Sequence, residues 1–183
     1  MKVLVLMSGG LDSAVCAAAA VAEGHDVIGL FFDWMQPARR EERQAATAQA
    51  ERLNIRLHAM RSYVHADKSM HAAPGETGPR VVPGRNLVFL ALAANLGAER
   101  GAHQIRIGCT AADAADYRDC RADFIEALSA LSPVPISAPL VALHRDEVRR
   151  TAVALGVDLS EVWSCYAPRE RGVPCGACNS CLQ

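Results

Sequence analysis

The stretch Val3-Leu4-Val5-Leu6-Met7-Ser8-Gly9-Gly10-Leu11-Asp12-Ser13 decides the fold of this chain. It begins as a short apolar run that is typical of a buried strand, turns at two glycines, and enters an Ala-rich segment from Asp12 to Glu23 that predicts a helix. Free backbone N–H groups at the start of such a helix, together with the helix dipole, attract anions. Gly9 and Gly10 let the backbone turn sharply and approach a phosphate. The stretch therefore predicts an anion-binding loop directly after the first strand.

Strands and helices continue to alternate beyond this loop. The further predicted strands are Val27–Phe32, Ile55–Ala59 and Gln104–Gly108. The further predicted helices are Pro37–Leu53, Asn86–Arg100, a segment from Asp119 or Arg121 to Leu131, and Arg145–Leu155. Alternation of this kind predicts an α/β fold in three layers, a parallel sheet with helices on its faces. The segment from Arg61 to Gly84 is rich in Pro and Gly and predicts a long loop that acts as a lid or binding segment, with disorder as the alternative.

Length and composition narrow the class of protein. The 183 residues predict one domain, with residues 163–183 as a metal-binding tail. The net charge of −1 argues against a nucleic-acid partner, because proteins that hold a phosphate backbone usually carry a basic excess. No secretion signal is visible, and the apolar run Ala14–Ala22 is too short to span a bilayer. We therefore expect a cytoplasmic protein that acts on small molecules and not on a membrane.

The tail carries four cysteines with the spacing of a metal site: Cys165, Cys175, Cys178 and Cys181. Four thiolates in this pattern suit a tetrahedral structural Zn²⁺ ion that leaves no position for a catalytic water. An iron–sulfur cluster and a redox C-x2-C pair are the alternatives. Three further cysteines are interpreted as small core residues; they are Cys16, Cys109 and Cys120.

The glycine loop, defined as residues 8–13, belongs to a recognisable class. It lacks the Gly-Lys-Ser/Thr ending of the kinase and GTPase P-loop. It resembles the Ser-Gly-Gly-x-Asp-Ser signature of the PP-loop ATP pyrophosphatases, with an adenine nucleotide alpha hydrolase-like fold. That resemblance implies that the loop holds the β- and γ-phosphates of ATP and leaves the α-phosphate open to attack, which gives AMP and pyrophosphate. Asp12 either caps the helix or holds Mg²⁺; a glycine turn with a capped helix is the structural alternative.

Three more segments resemble the 7-cyano-7-deazaguanine synthase family. They are Pro83-Gly84-Arg85-Asn86, the segment GCTAADAADYRDCRADFI over residues 108–125, and the tail with WSCY from Trp163 and CGACNSC. The resemblance covers residues 3 to 181. It implies an ATP-dependent carbon–nitrogen ligase of queuosine biosynthesis that joins ammonia to 7-carboxy-7-deazaguanine through an acyl-adenylate and an amide. Members of this family are often homodimers, so a homodimer is possible here.

Candidate site residues follow from their physical roles. The ATP and Mg²⁺ site comprises Ser8, Gly9, Gly10, Leu11, Asp12 and Ser13. The substrate site comprises Arg85, Asn86, Asp113, Tyr117, Asp119 and Arg121. The residues expected to serve catalysis most directly are Asp12, Ser8 and Arg85. Helix caps or surface pairs are the alternative interpretation of the last four substrate residues.

The sequence also departs from the family pattern. Asp33-Trp34-Met35-Gln36-Pro37 replaces an Asp-Tyr-Gly-Gln-Arg-like stretch, and Thr110 and Ala114 replace an Asn and a Tyr. These differences leave open an enzyme that stops at the amide or acts on a related carboxylated base. An RNA-modifying PP-loop enzyme is disfavoured by the net charge and by the lack of an added domain. A non-catalytic nucleotide-binding module is the remaining alternative.

Overall fold

The computed structural model describes residues 1–64 and 81–182. Its strands are β1 (Lys2–Leu6), β2 (Asp26–Asp33), β3 (Arg56–Arg61), β4 (Gln104–Arg106) and β5 (Ile136–Ser137). Its helices are α1 (Leu11–Ala22), α2 (Arg39–Arg52), α3 (Arg85–Glu99), α4 (Ala111–Asp116), α5 (Ala122–Leu131), α6 (Arg145–Ala154) and α7 (Asn179–Leu182). In the described part of the chain, every helix is too short or too polar to cross a membrane.

The strands form one parallel sheet in the order β3-β2-β1-β4-β5. β1 lies in the centre, with Val3 beside Val27 of β2 on one side and beside Gln104 of β4 on the other. Along the chain, β2 and β3 are added on one side of β1, and β4 and β5 are then added on the other side. The connections that leave β1 and enter β4 therefore run to opposite sides, and a crevice opens between the ends of these two strands. Open parallel sheets bind ligands at the carboxyl ends of the strands at such a point.

Helices cover both faces of the sheet, which confirms the predicted three layers. Val3 and Val5 point to one face, where they pack in a cluster with α1, α2 and α6. Leu4 points to the other face and packs in a cluster with α3 and α5. Because side chains alternate along a strand, a central strand buried on both faces must be apolar at every position. Residues 3–6 of the first strand meet that requirement, and each fully buried Leu or Val side chain among them contributes roughly 1.5–3 kcal/mol by burial.

The predicted elements are confirmed, with their ends shifted by at most three residues. The main difference is at Pro37 and Ala38, which form a turn before α2. The elements α4, α7 and β5 were not predicted. Of these, α4 has six residues and none of them is buried, α7 has four residues, and β5 has two. Of the predicted loop from Arg61 to Gly84, Arg61 ends β3, and residues 65–80 lie outside the described residues.

Candidate functional site

The glycine loop connects β1 to α1 at the carboxyl edge of the sheet. Gly10 is the residue before the first turn of α1, and no described side chain caps this helix end. Ser13 closes the loop internally, because its Oγ donates to the Gly10 carbonyl at 2.9 Å and accepts from the Ser8 backbone N–H at 3.2 Å. The Ser8 hydroxyl accepts a bond from the Gly10 backbone N–H at 3.3 Å. The two serines predicted to donate to phosphate therefore also hold the loop in shape.

Gly9 is the tightest point of the loop. Its φ of +85° lies in the left-handed region, and a Cβ at this position would lie 2.4 Å from the Glu42 carbonyl oxygen. Its own carbonyl oxygen accepts two hydrogen bonds, from Gln49 Nε2 at 2.8 Å and from the Trp163 backbone N–H at 3.0 Å. Both its conformation and its surroundings therefore require glycine.

Asp12 is the charged residue of the loop, and its carboxylate makes no hydrogen bond to a described residue. Burial raises the pKa of Asp12 to about 6, with a further contribution from the nearby negative charge of Asp113, whereas the positive charge of Arg145 opposes the rise. A half-buried carboxylate whose ionised form is disfavoured is ready to gain a cation. The structure therefore excludes the cap interpretation of Asp12, since Gly10 holds the cap position, and leaves it suited to a metal ion.

Asp113 faces Asp12 from the neighbouring strand end. It lies in the first turn of α4 and forms a capping box with Thr110: Asp113 Oδ2 accepts from the Thr110 N–H at 2.9 Å and from its hydroxyl at 2.7 Å. Gly108 brings this segment close to the loop, because a Cβ at Gly108 would lie 2.8 Å from the backbone of Asp12. The capping interpretation of Asp113 is thus correct. The negative charge of its carboxylate also raises the pKa of Asp12.

Arg85, Asn86 and Asp119 meet at the start of α3. The Arg85 guanidinium lies over the Trp34 ring, with Cζ 5.7 Å from the ring centroid. The Asp119 carboxylate accepts the Asn86 backbone N–H at 3.0 Å, and Asn86 Nδ2 donates to the Asp119 carbonyl at 3.2 Å and to Cys120 Sγ at 3.3 Å. Asp119 therefore occupies a free N–H in the first turn of α3, a favourable position for a negative charge. The Asn86 side-chain amide donates to both Asp119 and Cys120, which makes it an anchor for the Asp119 segment.

Tyr117 and Arg121 flank this segment. Tyr117 directly follows α4, packs partly buried against the core on the α3 side, and donates its backbone N–H to the Asp113 carbonyl at 2.7 Å. Arg121 is exposed, precedes α5, and donates from Nε to the Ala114 carbonyl at 3.1 Å. All the predicted substrate residues thus lie on two segments, the start of α3 and residues 113–121, and these two segments are joined through Asn86.

Two residues near the loop were not singled out from the sequence. Gln36 Nε2 donates to the Glu42 carboxylate at 2.7 Å and to the Phe32 carbonyl at 3.1 Å. Burial raises the pKa of Glu42, while this hydrogen bond and the charge of Arg85 oppose the rise. Gln36 stands in the stretch Asp33-Trp34-Met35-Gln36-Pro37, where the sequence departs from the family pattern but keeps its Gln, and this shared Gln was the available signal. The sequence of α2 gives no signal that Glu42 lies near the site, because its proximity to Gly9 and Arg85 arises from the packing of separate segments.

A cavity of about 550 Å³ lies on the other side of the loop, between α2 and the tail. Its lining includes Arg40, Glu41, Trp163 and Arg171. None of the predicted ATP or substrate residues lines it, so this cavity is separate from the crevice between β1 and β4.

The four predicted metal ligands come together in the tail. The Sγ atoms of Cys165, Cys175, Cys178 and Cys181 all lie within 4.8 Å of one another. Four sulfurs bound to one zinc ion at about 2.3 Å would lie roughly 3.8 Å apart, close to the 3.8 Å from Cys175 to Cys181 and the 3.5 Å from Cys178 to Cys181. We call these four residues the cysteine cluster.

The surroundings of the cluster favour a thiolate at Cys175, whereas burial raises the pKa of Cys165. The Cys175 N–H donates to Cys165 Sγ at 3.2 Å, and the Cys178 N–H donates to Cys175 Sγ at 3.3 Å. Backbone N–H groups, that of Ala177 above all, lower the pKa of Cys175 to about 6, whereas burial raises the pKa of Cys181 to about 12. No disulfide is present among the described cysteines. The donor set and its spacing therefore fit one tetrahedral metal ion.

Comparison with known proteins places these features in a family. The model of the family described as "Queuosine biosynthesis protein QueC" matches residues 2–183. A 7-cyano-7-deazaguanine synthase from Synechococcus sp. strain CC9311 is 37% identical, over 97% of this chain and 88% of the relative. The 7-cyano-7-deazaguanine synthase 2 from Rhodopseudomonas palustris strain HaA2 is 34% identical, over 98% of this chain and 93% of the relative.

Solved structures share the fold at lower identity. NMN synthetase from Francisella tularensis superposes with a TM-score of 0.60 at 23% identity, covering 90% of this chain and 65% of that one. The U34-tRNA thiolase NcsA from Methanococcus maripaludis, solved with its [4Fe-4S] cluster, superposes with a TM-score of 0.60 at 18% identity, covering 86% of this chain and 57% of that one. These likenesses support the PP-loop fold. The match of the family model over residues 2–183 and the two relatives at 37% and 34% identity show that the chain belongs to the QueC family of queuosine biosynthesis proteins.

Proposed function

We propose that this protein is an ATP-dependent carbon–nitrogen ligase that converts 7-carboxy-7-deazaguanine and ammonia to 7-cyano-7-deazaguanine. The observation that carries the proposal is the glycine loop: its hydroxyls and the free start of α1 lie beside an Asp12 carboxylate without a described hydrogen-bond partner. Such a loop suits the phosphates of ATP with Mg²⁺. Membership of the QueC family and the names of the relatives support the choice of base.

The proposed reaction uses ATP twice. The carboxylate oxygen of the base attacks the α-phosphorus of ATP and pyrophosphate leaves, which gives an acyl-adenylate. Ammonia attacks the acyl carbon, and AMP leaves with the carboxylate oxygen, so an amide forms and one proton is released. The amide oxygen then attacks the α-phosphorus of a second ATP and pyrophosphate leaves; loss of AMP, which carries away the amide oxygen, and of the two amide protons leaves the nitrile. No step needs a protein nucleophile, so the residues serve to bind, align and exclude water.

The loop residues Ser8 to Ser13 would hold the phosphates, and Asp12 would hold Mg²⁺, which neutralises phosphate charge when bound. Binding of a cation beside Asp12 offsets the burial and the Asp113 charge that disfavour its ionised form. Release of pyrophosphate then requires little movement of the loop, because Ser8 and Ser13 already hold it in shape.

The start of α3 would hold the base. Stacking on Trp34 leaves the N–H edge of Arg85 available to a substrate carboxylate, a contact that Lys could not make in two places at once. The Asp119 carboxylate would accept N–H groups from the guanine-like edge through its second oxygen, since its Oδ2 already accepts from Asn86. Asp113, Tyr117 and Arg121 complete the proposed site. Asn86 would act on the base indirectly, by fixing Asp119.

We propose a structural Zn²⁺ ion for the cysteine cluster, in one domain that spans residues 1–183 with residues 163–183 as its tail. The cluster supplies four buried or half-buried sulfurs, which a structural zinc site requires. We also propose a cytoplasmic protein without a nucleic-acid or membrane partner, and a homodimer. The outward face of α3 supports self-association, since Leu87 and Val88 are exposed there; light scattering of the purified protein tests the mass.

The deciding experiment is mass spectrometry of one reaction. Metal-loaded protein is incubated with ATP, Mg²⁺, ¹⁵N-ammonium and 7-carboxy-7-deazaguanine. Labelled nitrile together with AMP supports the proposal. Asp12→Asn should abolish AMP release, whereas Asp146→Asn, an exposed acid on α6, serves as the matched control and should not.

Two other outcomes separate the alternatives. Amide that accumulates without nitrile would mean that the second activation is lost, and would direct attention to Thr110 and Ala114. Absence of both AMP and product from folded protein would contradict the substrate. If ATP still binds in that case, the chain is a nucleotide-binding module.

A further inference from the structure

The segment between α6 and the cysteine cluster crosses the outside of the glycine loop. Trp163 makes two contacts that point in different directions. Its backbone N–H donates to the Gly9 carbonyl at 3.0 Å, and its indole Nε1 donates to the carbonyl of Cys165 at 2.8 Å. Its own carbonyl lies 3.7 Å from the position of a Cβ on Gly10. One residue therefore joins the first metal ligand of the tail to the two glycines of the loop.

A second set of contacts holds the same segment against α2. Gln49 Nε2 donates both to the Gly9 carbonyl at 2.8 Å and to the Glu161 carbonyl at 3.3 Å. The Arg52 guanidinium pairs with Glu161 at 2.8 Å and with Asp158 at 2.9 Å. The ion pairs are partly exposed and each contributes little energy, but a forked guanidinium between two carboxylates restricts the direction of the segment. The segment thus approaches Gly9 along a defined path.

The orientation of the Gly9 carbonyl determines where the next N–H points. In a trans peptide, the carbonyl oxygen of one residue and the N–H of the next point in opposite directions. Since Trp163 and Gln49 hold the Gly9 carbonyl on the outer side, the Gly10 N–H is turned inward, where it reaches the Ser8 hydroxyl at 3.3 Å. This inward direction is the one that an anion at the start of α1 needs. The hydrogen bond from Trp163 to the Gly9 carbonyl therefore helps to orient the Gly10 N–H, which would face phosphate.

We propose that Trp163 is a positioning residue that couples metal binding at the cysteine cluster to the shape of the glycine loop. An ordered cluster fixes the Cys165 carbonyl, the carbonyl holds the indole, and the indole keeps the Trp163 N–H against Gly9. The relevance of the coupling to ATP rests on the proposed function, but the coupling itself does not. It gives the tail a role in the loop beyond its own stability.

The test uses amide hydrogen exchange at residues 8–13 in metal-loaded protein without nucleotide. Trp163→Phe keeps the aromatic ring and removes the indole donor. Tyr166→Phe is the matched control, because Tyr166 packs against the same cluster and lies outside these contacts. Loss of one hydrogen bond should raise exchange in the loop roughly fivefold to tenfold in Trp163→Phe. Metal content, exchange in α3 and the behaviour of Tyr166→Phe should stay at the wild-type level.

Removal of the metal by a chelator provides a second measurement that needs no substitution. Chelation should speed exchange in the loop of the wild-type protein and add little in Trp163→Phe, because both changes break the same connection. Independent, additive effects would overturn the proposal. So would unchanged loop exchange in metal-loaded Trp163→Phe. If chelation also removes protection from α3, the protein has unfolded, and the metal-loaded variant alone decides.

Failure of the proposed coupling can be distinguished from failure of the proposed function. ATP titration of the same samples should show a severalfold weaker affinity in Trp163→Phe. A wild-type protein that forms no nitrile, yet shows metal-dependent exchange in the loop, would contradict the substrate and leave the coupling standing.

Discussion

Asp12→Asn should make the protein more stable at neutral pH while it removes the proposed magnesium ligand. The reason is the cost of keeping an ionised carboxylate half-buried beside Asp113, which raises the pKa of Asp12 from 3.8 to about 6. In the unfolded chain the same carboxyl group ionises near its ordinary pKa. Above about pH 6 both states are ionised, and the native state alone carries the penalty.

The magnitude follows from the difference between the two pKa values. A rise of about two corresponds to about 3 kcal/mol of free energy of unfolding, since each tenfold change corresponds to about 1.4 kcal/mol. Because the folded pKa is raised, the neutral carboxyl group adds its full stability below the unfolded pKa, and this is lost as the pH rises through the folded pKa. The Asn side chain is neutral throughout and escapes the loss. The advantage of Asp12→Asn should therefore be small near pH 4 and reach up to about 3 kcal/mol above pH 7.

The assay is urea unfolding of both proteins across this pH range in magnesium-free buffer, with the cysteine cluster loaded. A difference in the free energy of unfolding between the two proteins that stays constant from pH 4 to pH 8 would refute the reasoning. It would mean that Asp12 has the same pKa in the folded and unfolded states. A wild-type protein that is more stable than the variant at pH 8 would refute it as well. Added Mg²⁺ should narrow the difference at high pH by stabilising the ionised form.

Three further perturbations follow from the structure. Cys178→Ser should lose the bound metal and lower the melting temperature, while Cys16→Ala, at an equally buried position, should keep a full metal equivalent by elemental analysis. Met35→Gly should raise the free energy of unfolding by roughly 1 kcal/mol, because Met35 is held at a φ of +68° that glycine adopts without strain. Asn54→Gly, at a φ of +52°, should change it less, since Asn tolerates the left-handed region. Urea unfolding of the two variants and the wild type makes the comparison. Asp119→Asn should cost about 1 kcal/mol by weakening the charged cap on α3 and should raise the KM for the base more than the KM for ATP, which steady-state kinetics would resolve; an unchanged KM for the base would exclude contact with it.

The central strands and helices could be predicted from the sequence because the patterns that indicate them lie within short stretches of the chain. A continuous apolar run is needed for a strand buried on both faces, and Val3 to Leu6 supplies it. Gly24 and Gly156, each with a positive φ, follow the ends of α1 and α6, and glycine at this position is a local signal for the end of a helix. By contrast, β5 pairs only two residues with β4, and its place in the sheet depends on a contact with a strand about thirty residues away. A pattern that short carries no recognisable period.

The candidate site was accessible only in part, for the same reason. The cysteine spacing is a local signal, and the four sulfurs do converge. The charge of Asp113 beside Asp12, and the carboxylate of Glu42 beside Arg85, arise where separate segments pack together. Trp163 was noted as part of the tail, but its contact with Gly9 spans more than 150 residues of sequence and has no local signature.

The strand order also has a consequence for how the chain folds during synthesis. β1 leaves the ribosome before both of its neighbours in the sheet. Its β2 side can pair early, since β2 follows within about 30 residues. Its other side must wait for β4, which begins at Gln104. An apolar strand with an open edge invites pairing with the wrong chain. We therefore expect nascent chains from which β4 has not yet emerged to depend most on chaperones, and chains in which β4 covers the open edge of β1 to lose most of that dependence.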